Sequence, residues 1–193
     1  MSEREGARRG RPPTMDRSTV IAAARRVLRD EGPGALTVRR VAEELGVSRQ
    51  IVYTQFGSLG GLVDVLYQEG FGLLRDAGNA FAPALRGADL VIAWAVAYRR
   101  HALEHPELYG VMFERPFRDY TPSDESRAAA LAAFDPLVRA VASTGRPAEQ
   151  AGDLAFTLWG TTHGLVHLEL QGYLPSEPTG ETRVVTTVTA LLA

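Results

Sequence analysis

The chain has no cysteine among its 193 residues, which excludes disulfides and thiolate metal sites. It has no lysine either; all 21 basic residues are arginine, and with abundant alanine, glycine and valine this fits a GC-rich bacterial genome. No apolar run reaches the roughly 18 residues of a membrane span, and the N-terminus is polar and charged where a secretory leader is apolar. The expectation is a cytoplasmic protein without membrane contact. There is no nucleophile elbow, phosphate-binding glycine loop or Cys-His pair, so an enzyme has little to be built from, and nothing asks for a cofactor.

Charge is divided unevenly. Residues 1–60 carry 11 Arg against 7 acids, a net of +4, whereas residues 61–193 carry 10 Arg against 16 acids, a net of −6. A positive head on a negative body suits a protein in which only the head approaches phosphate. Residues 1–14, with Arg8, Arg9, Arg11, Pro12 and Pro13, read as a disordered Arg-rich arm, either touching DNA phosphates and the minor groove or simply solvated.

Residues 37–56 hold the clearest local pattern. Val38, Val41, Ala42 and Leu45 recur at i, i+3, i+4 and i+7, the stripe of an amphipathic helix, and Thr37 precedes them as a cap. Gly46 supplies the positive φ of a helix end, and Ser48 is again a cap residue, so a second helix begins almost at once. Ile51, Val52 and Phe56 fit its inner face; Arg49, Gln50, Tyr53, Thr54 and Gln55 fall near or on the outer one. Arg bonds guanine bidentately and Gln bonds adenine, while hydroxyls suit phosphate oxygens. Arg49, Gln50 and Thr54 are therefore expected as base readers, Thr37, Ser48 and Tyr53 as phosphate contacts, and Arg39 and Arg40 as secondary contacts. An earlier helix from about Asp16 to Asp30 packs behind this pair, with Arg25, Arg26 and Arg29 expected on a solvated face.

The order Leu-Thr-Val-Arg-Arg-Val-Ala-Glu-Glu-Leu-Gly-Val-Ser, then Tyr53, Phe56, Gly57 and Ser58, closely resembles the DNA-binding domain of TetR-family transcriptional regulators. The resemblance implies an all-α protein with a helix-turn-helix DNA-binding head at residues 15–58. It implies a helical-bundle ligand-binding and dimerisation domain at 59–193. In the family the helix after Gly57-Ser58 links head to body and its shift carries the signal. Many members have Lys where this chain has Leu59, so a phosphate contact expected there is missing. Gly70, Gly72 and Gly78 each weaken that helix by about 1 kcal/mol relative to Ala, so it is expected to bend or fray unless the glycines serve close packing.

Helical periodicity continues through the body without a convincing strand. Asp89 is a candidate cap for a helix to Glu104, and Pro106 restarts a short one to Phe113. Ser123 caps a stretch that Pro136 should kink or break, and Pro147 opens a long helix to about Tyr173. His105 to Phe113, and Trp159 to Gly164, resemble the C-terminal domain of a TetR subgroup known for a Trp-His-Gly signature. That likeness implies a homodimer in which the last two long helices pair, reading a near-palindromic operator in double-stranded DNA. Gly152, Gly160, Gly164 and Gly172 would allow the close approach.

Candidates for a small-molecule effector site are Trp94, Tyr98, His101, Tyr109, Met112, Phe113, Phe117, Phe156, Trp159 and His163, although aromatics at helical spacing also make ordinary core. Trp159 and His163, four apart, would share one space. His163 and His167 have the spacing of two metal ligands, yet the zinc protease motif needs Glu where Gly164 stands, so no metal site is assigned. The expected function is a ligand-responsive regulator, in this family most often a repressor. The alternatives are a DNA-binding regulator without a small-molecule pocket and, more remotely, a helical metal-dependent hydrolase.

Overall fold

The computed structural model describes residues 15–193; the arm expected over residues 1–14 lies outside them. The described residues form ten α-helices and one short 3-10 turn, with no strand. Helix α1 (Arg17–Glu31) starts at Asp16, whose carboxylate accepts from the Ser18 amide and hydroxyl. Val20, Ala23, Ala24, Val27 and Leu28 form its buried stripe. Helices α2 (Val38–Leu45) and α3 (Arg49–Phe56) pack against it, and α4 (Leu59–Asn79) leads away.

The body contains α5 (Gly87–Glu104), α6 (Pro106–Phe113), α7 (Asp124–Ala132), α8 (Asp135–Ala142), α9 (Ala148–Leu170) and α10 (Gly180–Leu192). Helix α5 runs through its middle, touching α4, α6, α8, α9 and α10. It buries Leu90, Val91, Trp94, Ala95, Tyr98 and Ala102, and burying a large apolar side chain contributes about 1.5–3 kcal/mol. Asp89 does not cap it: the helix begins at Gly87, and Asp89 sits in the first turn, where a carboxylate favours the positive helix end. Ser123 caps α7, its hydroxyl accepting from the Ser126 amide, and Pro136 falls in the first turn of the separate α8. Asp64 on α4 holds the segment before α7, accepting from the Tyr120 hydroxyl and from both the amide and hydroxyl of Ser123. Helix α9 stops at Leu170, short of Tyr173.

Two apolar clusters organise the chain. One gathers α1, α2, α3 and the first half of α4 through Leu62, Val63 and Leu66; the other surrounds α5. Helices α4 and α6 belong to both, since Leu108 and Val111 reach the first cluster while Tyr109 and Met112 join the second.

The expected bending of α4 is not observed. It is one continuous 21-residue helix, and two of its glycines, Gly70 and Gly78, answer packing demands. A Cβ at Gly70 would stand 2.6 Å from Met112 Sδ, and one at Gly78 would stand 2.9 Å from Trp94 Cδ1 and 3.1 Å from Pro136 Cβ. Gly72 faces open space.

Candidate functional site

The turn between α2 and α3 is built from local chemistry. Thr37 Oγ1 accepts from the Arg40 amide at 3.0 Å, which caps α2. Gly46 adopts φ 65°, ψ 31°, the left-handed conformation that glycine takes without a side-chain clash. Val52 (0% exposed) and Phe56 (8%) pin the back of α3, so Arg49, Gln50, Tyr53 and Thr54 stand exposed on its front. The Thr54 hydroxyl donates to the Gln50 carbonyl at 2.7 Å and accepts from the Gln50 side chain at 3.4 Å, which sets these two side by side. Ser48 occupies the cap position with no side-chain cap bond, and it is exposed. Gln55, expected near the outer face, donates instead to the Met15 carbonyl at 2.7 Å and ties α3 to the start of α1.

The arginines of α2 differ from expectation. Arg40 is gripped by Glu31 at 2.6 Å and Glu44 at 2.9 Å, so it braces α2 against the end of α1. Arg39 pairs with Glu43 at 3.2 Å with both groups exposed; such a pair is worth less than about 1 kcal/mol, so a phosphate can compete for it. The face of α1 expected to be solvated keeps Arg26 and Arg29 about half exposed, at 47% and 50%, while Arg25 is 18% exposed. Arg26 pairs with Glu44, and Arg25 and Arg29 turn towards the body.

Their target is Glu107, whose side chain is fully buried in the first turn of α6. Arg25 donates to its Oε1 from Nε at 3.1 Å and Nη2 at 2.9 Å, and Arg29 from Nη2 at 2.9 Å. Arg25 also reaches Glu69 on α4 at 2.9 Å and lies 3.0 Å from His105 Nδ1. Burial pushes the Glu107 carboxyl up, but hydrogen bonds from Arg29, from its own backbone amide and from Arg25 together outweigh it and hold the group below the usual carboxylate range. Nothing in the sequence pairs residues 82 positions apart, so pattern reading missed this contact.

A cavity of about 400 Å³ opens between α4, α5, α6, α7 and α9. The sequence candidates Trp94, Met112, Phe113, Phe156 and Trp159 line it; Tyr67, Phe71, Leu74, Leu131 and Phe134 do so unexpectedly. No Asp or Glu is on its wall, and the charged side chain present is Arg127. Leu131 (73% exposed) and Phe156 (59%) leave its lining open to the outside. A hollow of about 550 Å³ along α1 is larger, but it is an open groove against Arg25, Arg26, Arg29 and Glu69 and lacks the apolar walls that hold small molecules.

The remaining candidates do not line this cavity. Tyr98, Tyr109 and His163 form a polar knot behind Phe113: His163 Nδ1 lies 2.8 Å from the Tyr98 hydroxyl and 2.9 Å from that of Tyr109, and its ring is 4.8 Å from Phe113. Burial raises both phenols, Tyr109 to about 12, while burial and His167 lower the His163 imidazole. The knot is therefore neutral at pH 7. His101 lies beside His105, with ring centroids 5.4 Å apart, because it stands on a different face of α5. Phe117, past the end of α6, packs against the head cluster instead. His163 and His167 stack at 6.2 Å, and among the described residues no three His, Asp or Glu side chains converge as metal ligands. Nor is any helix of the described residues long and apolar enough to cross a membrane.

A helix-turn-helix with an exposed reading face, set on a helical bundle, defines a DNA-binding transcriptional regulator fold. Residues 20–66 match the model of bacterial regulatory proteins of the tetR family, and residues 91–191 match the tetracyclin repressor-like C-terminal domain. With more than half of its length matched, the chain belongs to the TetR family, whose members are transcriptional regulators and not enzymes. The C-terminal match is described as tetracyclin repressor-like, without reference to a Trp-His-Gly signature. An uncharacterised helix-turn-helix-type transcriptional regulator of Mycobacterium tuberculosis is 29% identical over 176 residues, spanning 85% of this chain and 74% of that protein. A protein of unknown function from Rhodococcus sp. RHA1 superposes with TM-score 0.80 at 26% identity, covering 97% of both chains. A TetR variant of Acinetobacter baumannii AYE, solved in complex with minocycline, superposes with TM-score 0.65 at 20% identity, covering 92% of this chain and 94% of that one.

Proposed function

We propose that the protein is a dimeric repressor whose heads, residues 15–58, read a near-palindromic operator and are released by a small apolar effector bound in the body, residues 59–193. The observation that carries the proposal is the shared position of α6. Its C-terminal residues Met112 and Phe113 line the cavity, while Glu107 in its first turn holds Arg25 and Arg29 of the head. A compound that displaces Phe113 pushes an eight-residue helix whose other end grips α1. Such a compound acts only through its different affinity for the two arrangements of the head.

Arg49, Gln50 and Thr54 are the base readers in this proposal, and Thr37, Ser48 and Tyr53 the phosphate contacts, with Arg39 as a weaker one. The effector is neutral or acidic: an amine would meet no carboxylate on the wall and would lie near Arg127. Dimerisation uses α9 and α10. Gly152, Gly160 and Gly164 on α9 have open space where a Cβ would project, and Phe156 and Leu168 are exposed beside them.

The test is selection of fragments of the source genome by the purified protein, followed by a compound screen that records release of the selected DNA. Enrichment of a near-palindrome and release by apolar neutral or acidic compounds are expected. A near-palindrome that no compound releases would refute the effector half alone, and no enrichment would refute the whole.

A further inference from the structure

Between residues 15 and 58 the head carries seven arginines, and five are held by carboxylates. Arg25 and Arg29 bond Glu107, Arg26 bonds Glu44, Arg39 bonds Glu43, and Arg40 bonds Glu31 and Glu44. Among the described residues Arg17 and Arg49 make no ion pair. Arg49 opens α3. Arg17 stands at the other end of the same helix, its guanidinium 4.8 Å from the centroid of the Phe56 ring.

Arg17 is not a loose surface side chain. Gln55, next to Phe56, donates to the Met15 carbonyl two residues before Arg17, so consecutive residues of α3 hold the first turn of α1. The adjacent carboxylate, Asp16, is committed to the amide and hydroxyl of Ser18. Arg17 is exposed with its guanidinium carbon over the ring, and a cation held over an aromatic face keeps N–H donors for a second partner.

We propose that Arg17 binds a DNA backbone phosphate at the α3–α4 turn. This rests on the reading of α3 as the DNA-reading helix. At 1.5 Å per residue the eight residues of α3 span about 12 Å, close to the width of the major groove, so side chains just beyond its ends come near the phosphate rows. Arg49 at one end is aimed at bases, and Arg17 at the other meets phosphate whatever the sequence.

Phosphate contacts act on any duplex, so the test needs no operator. Binding of the full chain to a random-sequence 30-base-pair duplex is measured from about 50 to 200 mM salt for wild type, Arg17→Gln and Arg17→Lys, with folding of each checked by circular dichroism and thermal midpoint. Gln keeps a polar stem over Phe56 without the charge, and Lys restores the charge. Arg17→Gln should flatten the slope of log K against log salt by about 0.9 per head, and Arg17→Lys should retain the wild-type slope. An unchanged slope in Arg17→Gln overturns the proposal, and so does a Lys variant that falls with Gln, because the ring contact and not the charge would then matter. A wild type that binds no duplex even at low salt refutes the reading of the head itself.

Discussion

Glu107 holds two arginines of the DNA-reading head at once, its Oε1 lying 2.9 Å from Nη2 of Arg25 and 2.9 Å from Nη2 of Arg29. The carboxylate is fully buried, whereas Arg29 is half exposed. Removing its charge leaves Arg25 with Glu69 alone and Arg29 with no acid. Glu107→Gln should therefore lower stability at pH 7 by about 2–3 kcal/mol, less than the about 3–5 kcal/mol of a pair buried on both sides. The folded-state pKa of Glu107 is depressed, so its contribution is complete above the usual carboxylate range and is lost as pH falls through the lower folded value. Urea unfolding should show a gap between wild type and variant at pH 7 that closes in acid. Equal stability at pH 7 would mean that the buried pair contributes nothing.

His101 gives a second pH dependence, of different origin. It is 5% exposed, its Nε2 has no hydrogen-bond partner, and burial, followed by repulsion from His105 and Arg25, holds its pKa at about 4. The unfolded chain binds this proton near pH 6.5 and the folded chain resists it, so stability should fall as pH drops from about 6.5 towards 4, by up to ~3 kcal/mol. His101→Gln should remove most of that slope in thermal melts between pH 7 and 4.5. Parallel slopes in the two proteins would assign the effect to other groups.

Glycines along α4 should separate by what faces them. Gly72→Ala gains helix propensity into open space and is expected to stabilise by about 0.5–1 kcal/mol. Gly78→Ala drives a methyl group against Trp94 and Pro136 and should cost about 1–3 kcal/mol net. Since Trp94 lines the cavity, Gly78→Ala should also weaken effector binding, which calorimetry with a screened effector would measure. Equal behaviour of the two variants would contradict the packing at Gly78.

On α3, Arg49→Ala should relax preference at one base position by about 1–3 kcal/mol, while Tyr53→Phe should weaken binding to all sequences alike. Competition with single-base variants of a selected operator distinguishes the two. A uniform loss for Arg49→Ala would make it a phosphate contact.

The legibility of these features in the sequence follows the range of the interactions behind them. Thr37 and Gly46 act within a turn of their own backbone, and Pro136 breaks a helix through its own ring, so the turn, the cap of α2 and the division of α7 from α8 could be read directly. The cavity was half legible. Trp94 and Tyr98 share a face of α5 at four-residue spacing, and only the packing of α6 and α9 decides that Trp94 meets a void while Tyr98 meets His163. Long-range pairings were illegible. Arg25 on a polar stripe looks like any solvated arginine until α6 brings Glu107 against it, and Gly70, Gly72 and Gly78 look alike until Met112 and Trp94 arrive beside two of them.

The most direct measurement is fluorescence anisotropy of the purified protein on the intergenic DNA beside its own gene, against a scrambled duplex, at about 50 and 200 mM salt. The exposed face of Arg49, Gln50 and Thr54 should give tight binding selective for the native sequence, falling steeply with salt as phosphate contacts are screened. If that site proves distant, the selected fragment replaces it in the same assay. Weak binding, equal on both duplexes and insensitive to salt, would contradict a DNA-reading role for α3.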